Sequence, residues 1–180
     1  MPPENQNIDL LLLQCKLQNQ KAQTAVYKLY SGAMYNVAFR ILGNQNEAEN
    51  VMQDGFLKAF AKLETFNNDG TFGAWLKRIV INKSINELKK SKAYKTEALS
   101  ENFEKIEDQD PEISFTNQKA EHVLKTIQSL KPNYKIILTL FFIEGYDLEE
   151  ITELLKISYE NCRTTMSRAK ESLRKKLQTV

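Results

Sequence analysis

Apolar residues recur every three or four positions along most of this 180-residue chain. That spacing places them on one side of an amphipathic helix. In the first half, the pattern predicts four helices, at residues 8–18, 21–42, 46–63 and 72–91. Gly43 suits the left-handed cap that ends the second helix, and Asn46 with Glu49 has the spacing of a capping box for the third. No stretch alternates in the manner of a strand, so the sequence predicts an all-α protein.

The second predicted helix should have a single inward stripe along its whole length. Seven residues at helical spacing define this stripe: Ala22, Val26, Leu29, Tyr30, Ala33, Val37 and Ile41. Such a stripe is typical of a helix in a bundle. We therefore expect residues 8–92 to fold as a four-helix domain.

The last third of the chain has the pattern of a helix-turn-helix. Asp147 can cap a short helix over 148–155, and Ser158, after a turn at 156–158, can cap a second helix that runs to about residue 178. Residues 159–180 hold six basic and two acidic side chains. A basic terminal helix alone is more often only a solvated surface, but the short helix and turn before it favour a recognition helix for DNA.

Charge is distributed unevenly around a net value of only +2. Residues 77–95 hold seven basic residues and one acidic residue, whereas 93–112 holds seven acidic residues and two lysines. The apolar periodicity also lapses in the acidic stretch. The sequence thus predicts a flexible acidic linker at 93–112 between two domains, 8–92 and 113–180, that can each contact a polyanion.

Composition excludes several classes of protein. With 42% apolar residues, the chain is not mainly disordered, and no apolar run approaches the roughly 20 residues that span a bilayer. The N-terminus lacks the basic start of a secretory signal, so we expect a cytoplasmic protein without membrane insertion. Cys15 and Cys162 lie on apolar helix faces and favour packing over redox chemistry. His122 has no metal-ligand set around it, so we expect neither metal nor cofactor.

Two features of the first half exceed what a plain bundle needs. The predicted third helix is acidic and polar on the side away from its apolar stripe, which suits a basic protein partner; these residues are Glu47, Glu49, Gln53 and Asp54. Phe66 and Trp75 lie beside positive charge, where aromatic faces can stack unpaired bases. The simpler alternative is that Trp75 fills the core.

Two ordered sets of residues resemble a known family. Residues 48–60, followed by 72–79 and Asn82, look like conserved region two of extracytoplasmic-function sigma factors. Residues 130–132, 144–146, 148–151 and 168–170 resemble region four of the same family. Together the two sets extend over nearly the whole chain, from about residue 20 to 177.

The resemblance implies a bacterial transcription initiation factor that binds RNA polymerase core, directs it to promoter DNA and helps to open the duplex. Asn50, Gln53 and Asp54 would then face the coiled coil of the largest polymerase subunit. The loop at 64–71 would receive a flipped base of the minus-ten element. The minus-ten DNA would meet residues of this loop and the fourth helix: Phe66, Trp75, Asn82, Lys83, Asn86, Lys89 and Lys90. The minus-thirty-five element would meet residues of the last helix: Tyr159, Glu160, Arg163, Thr164, Thr165 and Arg168.

The family also implies an anti-sigma partner, often membrane-bound, that occludes both domains. This chain departs from the family pattern at four positions. Lys156 stands where a turn glycine is usual, so either a positive backbone angle costs free energy here or the turn differs slightly. Thr165 replaces a commonly basic residue, Tyr134 an arginine, and Asn86 an aspartate.

Two other classes of function compete with this interpretation. A free-standing helix-turn-helix regulator would bind its operators as a dimer, but it leaves the acidic third helix unexplained. An enzyme needs a nucleophile, a phosphate-binding loop or an acid–base pair with suitable spacing. The sequence shows none of these, so we expect no enzymatic activity.

Overall fold

The computed structural model describes residues 3–67, 69–91 and 120–178. Contacts divide the chain into two compact units, Met1–Glu87 and Leu88–Val180. Helices are the regular structure of the described ranges, which contain no strand, and this confirms the predicted all-α class. The acidic stretch 93–112 lies outside the described residues.

Four helices make up the first part of the chain. They are α1 (Pro3–Lys16), α2 (Gln20–Leu42), α3 (Gln45–Ala61) and α4 (Phe72–Lys90), with a 3-10 turn at Leu63–Thr65. The predicted helices correspond to these four, with ends that coincide or differ by up to five residues. In the first unit α2 packs against both α1 and α3, so the core of this unit lies around α2.

Side-chain caps decide where these helices begin and end. Asn44, not Asn46, is the N-cap of α3: its side chain accepts a hydrogen bond from the backbone N–H of Glu47. The predicted capping box at Asn46 and Glu49 is therefore wrong by two positions. Gly43 ends α2 in the left-handed conformation, as predicted, and its N–H donates to the carbonyl of Phe39.

The inward side of α2 differs from the predicted stripe. Leu29 and Ala33 are exposed, whereas Met34 and Ala38 are buried. At about 100° per residue, the buried positions move around the helix from its first turns to its later ones, so a single stripe does not describe it; the buried residues are Ala22, Val26, Met34, Val37, Ala38 and Ile41.

Gly55 allows α3 and α4 to lie very close together. A Cβ atom added at Gly55 would lie 2.7 Å from Cγ2 of Val80, a distance that real Cβ contacts essentially never show. Both residues are buried. Glycine is required here because the backbone of α3 lies directly on a side chain of α4.

The second unit contains α5 (Ala120–Gln128), α6 (Pro132–Leu138), a π-helical segment (Thr139–Ile143), α7 (Leu148–Leu155) and α8 (Tyr159–Gln178). Helices α5, α6 and α7 all contact α8. The inner side of α8 packs against them through Cys162, Thr165, Met166, Ala169 and Leu173. The long terminal helix is therefore the centre of this unit.

Both ends of α7 are fixed by local interactions. Asp147 forms the predicted N-cap as part of a capping box, in which Glu150 N donates to the Asp147 carboxylate and Asp147 N donates to the Glu150 carboxylate. At the other end Lys156 has φ +57°, the left-handed conformation in which glycine is favoured. The backbone N–H of Asn161 donates to Ser158 Oγ at the start of α8. These contacts confirm the predicted helix-turn-helix boundaries.

Candidate nucleic-acid and partner interfaces

The outward side of α3 forms an exposed polar surface. Asn50, Gln53 and Asp54 are all exposed, and their spacing of three and four residues puts them on adjacent turns of one side. Leu57 occupies the same side and is 69% exposed. Sequence reasoning missed Leu57, although its position seven residues after Asn50 could have identified it as an apolar residue on the polar side.

An ion pair connects this surface to α4. Lys83 Nζ lies 3.2 Å from Asp54 Oδ2. The Lys83 side chain is 26% exposed and the Asp54 side chain 63%. Two residues that the sequence assigns to different partners, polymerase and DNA, are thus in direct contact.

An aromatic cluster lies where the loop at 64–71 joins α4. The ring centroid of Phe66 lies 5.8 Å from that of Phe72 and 5.4 Å from that of Trp75. Phe66 is only 8% exposed, and Trp75 is half-buried. Phe66 therefore does not offer an open face to an unpaired base in this arrangement, because it fills the space under the loop.

The loop itself is held by short-range polar contacts. Thr71 Oγ1 accepts a hydrogen bond from Ala74 N at 3.2 Å, so Thr71 caps the start of α4. Asn67 donates to the Asp69 carboxylate. Phe66, near the start of the loop, packs on the first turn of α4, and Thr71, at the end of the loop, caps that same turn.

Polar residues of α4 line one side of that helix. Asn86 and Lys90 are exposed, while Asn82, Lys83 and Lys89 are half-buried. Asn82 Nδ2 donates to the Arg78 carbonyl at 2.9 Å, and its amide oxygen remains available as an acceptor. The helix spacing thus brings together the five minus-ten residues that the sequence placed on the later turns of α4.

The residues assigned to recognition in α8 separate into two groups. Tyr159, Glu160 and Arg163 are exposed, and Thr164 and Arg168 are half-buried. Thr165 is only 9% exposed, and its Oγ1 donates to Asn161 Oδ1 at 3.1 Å. The structure therefore places Thr165 on the packed side of α8, apart from the other five.

A groove of about 350 Å³ runs along the side of α8 that adjoins the exposed residues. Arg163 and Lys170 bring positive charge to this groove, which is lined by Phe141, Leu148, Tyr159, Arg163, Met166, Ser167 and Lys170. Lys170 Nζ lies 5.7 Å from the centre of the Phe141 ring, within the range of a cation–π contact.

Neither cysteine is exposed. Both Cys15 and Cys162 are free and buried, as predicted, and burial raises the pKa of each thiol above its ordinary value. Within the described ranges, no three His, Cys, Asp or Glu side chains form a group that could hold a metal ion. In the same ranges, no helix is long and apolar enough to cross a membrane.

Comparison with known proteins gives matches in both units. The chain matches the family Sigma-70 region 2 over residues 26–94 and the family Sigma-70, region 4 over residues 121–173. It is 28% identical over 179 residues to the ECF RNA polymerase sigma factor SigW of Bacillus subtilis (strain 168), covering 93% of this chain and 95% of SigW. It is 27% identical over 172 residues to the ECF RNA polymerase sigma-E factor of Escherichia coli (strain K12), covering 90% of each chain.

Two solved structures share the fold. One is CnrH in complex with the cytosolic domain of CnrY, with a TM-score of 0.55 and 22% identity over 94% of this chain and 96% of that one. The other is the sigma factor RpoE in complex with the anti-sigma factor NepR from Bartonella quintana, with a TM-score of 0.56 and 19% identity over 86% of this chain and 96% of that one.

Proposed function

Because the chain belongs to the extracytoplasmic-function sigma factors of the sigma-70 family, we propose that its two units bring RNA polymerase core to promoters through the surfaces described above. The observation that carries this proposal is the presence of both conserved regions, in order, in one chain. Sigma factors are not themselves enzymes; the polymerase supplies the catalysis. The protein acts in the cytoplasm, because that compartment of a bacterium holds the chromosome.

The outward side of α3 is the surface for core polymerase. Asn50 and Gln53 supply exposed amides, and Asp54 supplies a carboxylate that suits a basic partner. Leu57 lies among them as an apolar anchor. Interfaces gain most of their affinity from a few side chains that are fully desolvated on binding, and an exposed leucine within a polar surface is suited to that role.

The loop at 64–71 and α4 form the minus-ten surface. Asn82, Asn86 and Lys90 offer amide groups and charge along α4. Extruding a base from the duplex costs a few kcal/mol, which a prepared pocket and phosphate contacts offset. Phe66 supports the loop from beneath, so Trp75, as the more accessible ring of the cluster, is the better candidate for contact with a base.

The exposed side of α8 reads the minus-thirty-five element. Arg163 is suited to a bidentate contact with a base edge, worth about 1–3 kcal/mol of discrimination. Tyr159, Glu160, Thr164 and Arg168 flank it. Thr165 contributes to the packing of α8 and not to base reading.

The proposed domains are 8–92 for polymerase binding and the minus-ten element, 93–112 as an acidic linker, and 113–180 for the minus-thirty-five element. Each domain alone binds promoter DNA weakly, and core polymerase raises specificity by fixing the distance between them. Two modest contacts become one strong contact when their spacing is set.

An anti-sigma protein is the proposed inhibitory partner. RpoE of Bartonella quintana was solved with an anti-sigma factor, and CnrH with the cytosolic domain of CnrY. A protein that covers the outward side of α3 would prevent this chain from binding polymerase.

Transcription in vitro tests the proposal. Purified core polymerase, this protein and fragmented DNA from its source should give discrete transcripts only when the protein is present. Asp54→Arg should abolish these transcripts and weaken core binding, because it reverses the charge of the α3 surface. Transcripts and core affinity equal to those of the unmodified protein would contradict the assigned interface.

Base reading is tested separately in α8. Arg163→Ala should weaken binding to the selected promoter more than binding to scrambled DNA, because a base contact carries sequence information and a phosphate contact does not. Arg174→Ala provides a control, since Arg174 is an exposed cation of the same helix, three turns further on. Equal losses on both DNAs for Arg163→Ala would refute the base-reading role.

A further inference from the structure

Lys83 is in contact with a residue of the neighbouring surface. It lies on α4, among the residues proposed to meet the minus-ten DNA, yet its ammonium nitrogen is 3.2 Å from the Asp54 carboxylate on α3. Asp54 lies on the surface proposed for core polymerase. One ion pair thus joins the groups intended for two different macromolecules.

We propose that Asp54 is a positioning residue for Lys83: in the free protein it holds the ammonium group away from DNA, and core polymerase releases that group by engaging the carboxylate. This inference rests on the proposed function. DNA binding by the first unit would then depend on polymerase, because Lys83 and polymerase compete for the same Asp54 carboxylate.

The geometry gives the physical reason. At 3.2 Å the two groups form a charge-assisted hydrogen bond. A DNA phosphate that approached Lys83 in this position would meet the negative charge of Asp54 at close range. The phosphate must therefore displace a carboxylate and tolerate its charge, and both requirements lower affinity.

Core polymerase changes this balance. A basic element that docks on α3 pairs with Asp54 and removes it from Lys83, so the lysine becomes available to DNA. Coupling of this kind is reciprocal, because each partner raises the affinity for the other by the same factor. The Asp54 side chain is largely exposed, and pairs in such settings are weak, so the expected factor is about two- to fivefold.

The test measures how tightly the full-length free protein binds a single-stranded minus-ten oligonucleotide over a range of salt concentrations. Asp54→Asn removes the charge and retains the size of the side chain. We expect it to raise affinity about two- to fivefold and to increase the salt dependence by roughly one phosphate contact. In a Lys83→Met background the same substitution should have no such effect, because no ammonium is left to release.

Glu49→Gln is the matched control. Glu49 is also an exposed acid of α3, but it lies five residues before Asp54, about 140° around the helix. It therefore gives the same change in net charge without touching the pair. Two results together support the inference. Asp54→Asn raises the affinity for the oligonucleotide more than Glu49→Gln does, and this gain in affinity disappears when Asp54→Asn is combined with Lys83→Met.

Other outcomes overturn it. Equal increases for Asp54→Asn and Glu49→Gln, or an increase that persists without Lys83, would mean that only long-range charge matters. If Asp54→Arg still abolishes core binding in that case, the proposed function stands and only the coupling is refuted. If no protein binds the oligonucleotide with or without core, the proposed function and the inference both fail.

Discussion

The close approach of α3 and α4 at Gly55 predicts a large effect from a single methyl group. In Gly55→Ala the new Cβ would lie 2.7 Å from Val80 Cγ2. Alanine in a helix interior is better than glycine by about 0.5–1 kcal/mol, but overpacking of a filled core costs about 1–3 kcal/mol. Val80 is fully buried and cannot turn into open space. We therefore expect the free energy of unfolding to fall by about 1–2 kcal/mol.

Denaturant unfolding followed by tryptophan fluorescence suits this measurement. The chain has one tryptophan, Trp75, and it packs against Phe66 and Phe72 in the first unit. Its emission therefore reports the transition of that unit. Gly32→Ala is the control, since Gly32 lies within α2 and has no atom within 4 Å of an added Cβ. That variant should be stabilised by about 0.5–1 kcal/mol.

A double-mutant cycle decides whether the clash is the cause. Val80→Ala alone removes buried methyl groups and should cost about 1–3 kcal/mol. Combined with Gly55→Ala, the new methyl group occupies part of the vacated space, so the double variant should be more stable than the sum of the two losses by about 1 kcal/mol. Additive losses, or a Gly55→Ala protein as stable as Gly32→Ala, would refute the reasoning.

Four further predictions concern the second unit. Circular dichroism records the helices of both units, and the Trp75 fluorescence identifies which transition belongs to the first. Lys156→Gly should raise the free energy of unfolding by up to about 1 kcal/mol, since φ is +57° at this position; a lower value would contradict strain there. Asp147→Ala should lower it by about 1 kcal/mol through loss of the capping box, and an unchanged value would mean that water replaces the cap. Thr139→Val should be neutral or stabilising, because Thr139 Oγ1 is buried without a hydrogen-bond partner among the described residues; a loss above 1 kcal/mol would reveal a partner. Burial raises the pKa of Cys162 above its ordinary value of 9.0, so the folded state keeps a proton that the unfolded state loses. Stability should therefore fall as pH rises above about 9, and less steeply in Cys162→Ala, whereas parallel pH profiles would contradict this.

Features that depend on neighbouring residues were predictable from the sequence. The caps at Asp147 and Ser158 join a side chain to a backbone group three residues away, so the boundaries of α7 and α8 follow from local chemistry. The predicted cap of α3 at Asn46 was wrong, because Asn44 is an equally suitable cap by residue type. Only the folded path of the chain selects Asn44.

Features that depend on distant residues were not predictable. Phe66 was expected to be accessible, but its burial depends on how Phe72 and Trp75 pack against it. Thr165 lies on the same helix as Arg163, yet contact with the other helices of its unit buries it. Asp54 and Lys83 are 29 positions apart, so no local pattern could reveal that they form an ion pair.

The two caps of α7 also bear on how this chain can change during evolution. The helix has eight residues between Asp147 and Lys156, and each added residue turns a helix by about 100° and lengthens it by about 1.5 Å. A substitution inside α7 at a position other than Glu150 leaves both caps in place, whereas an insertion or deletion would rotate one cap, and α8 with it, relative to the other. We therefore expect relatives that read different promoters to vary in the exposed side chains of α8 while they keep the length of α7 constant.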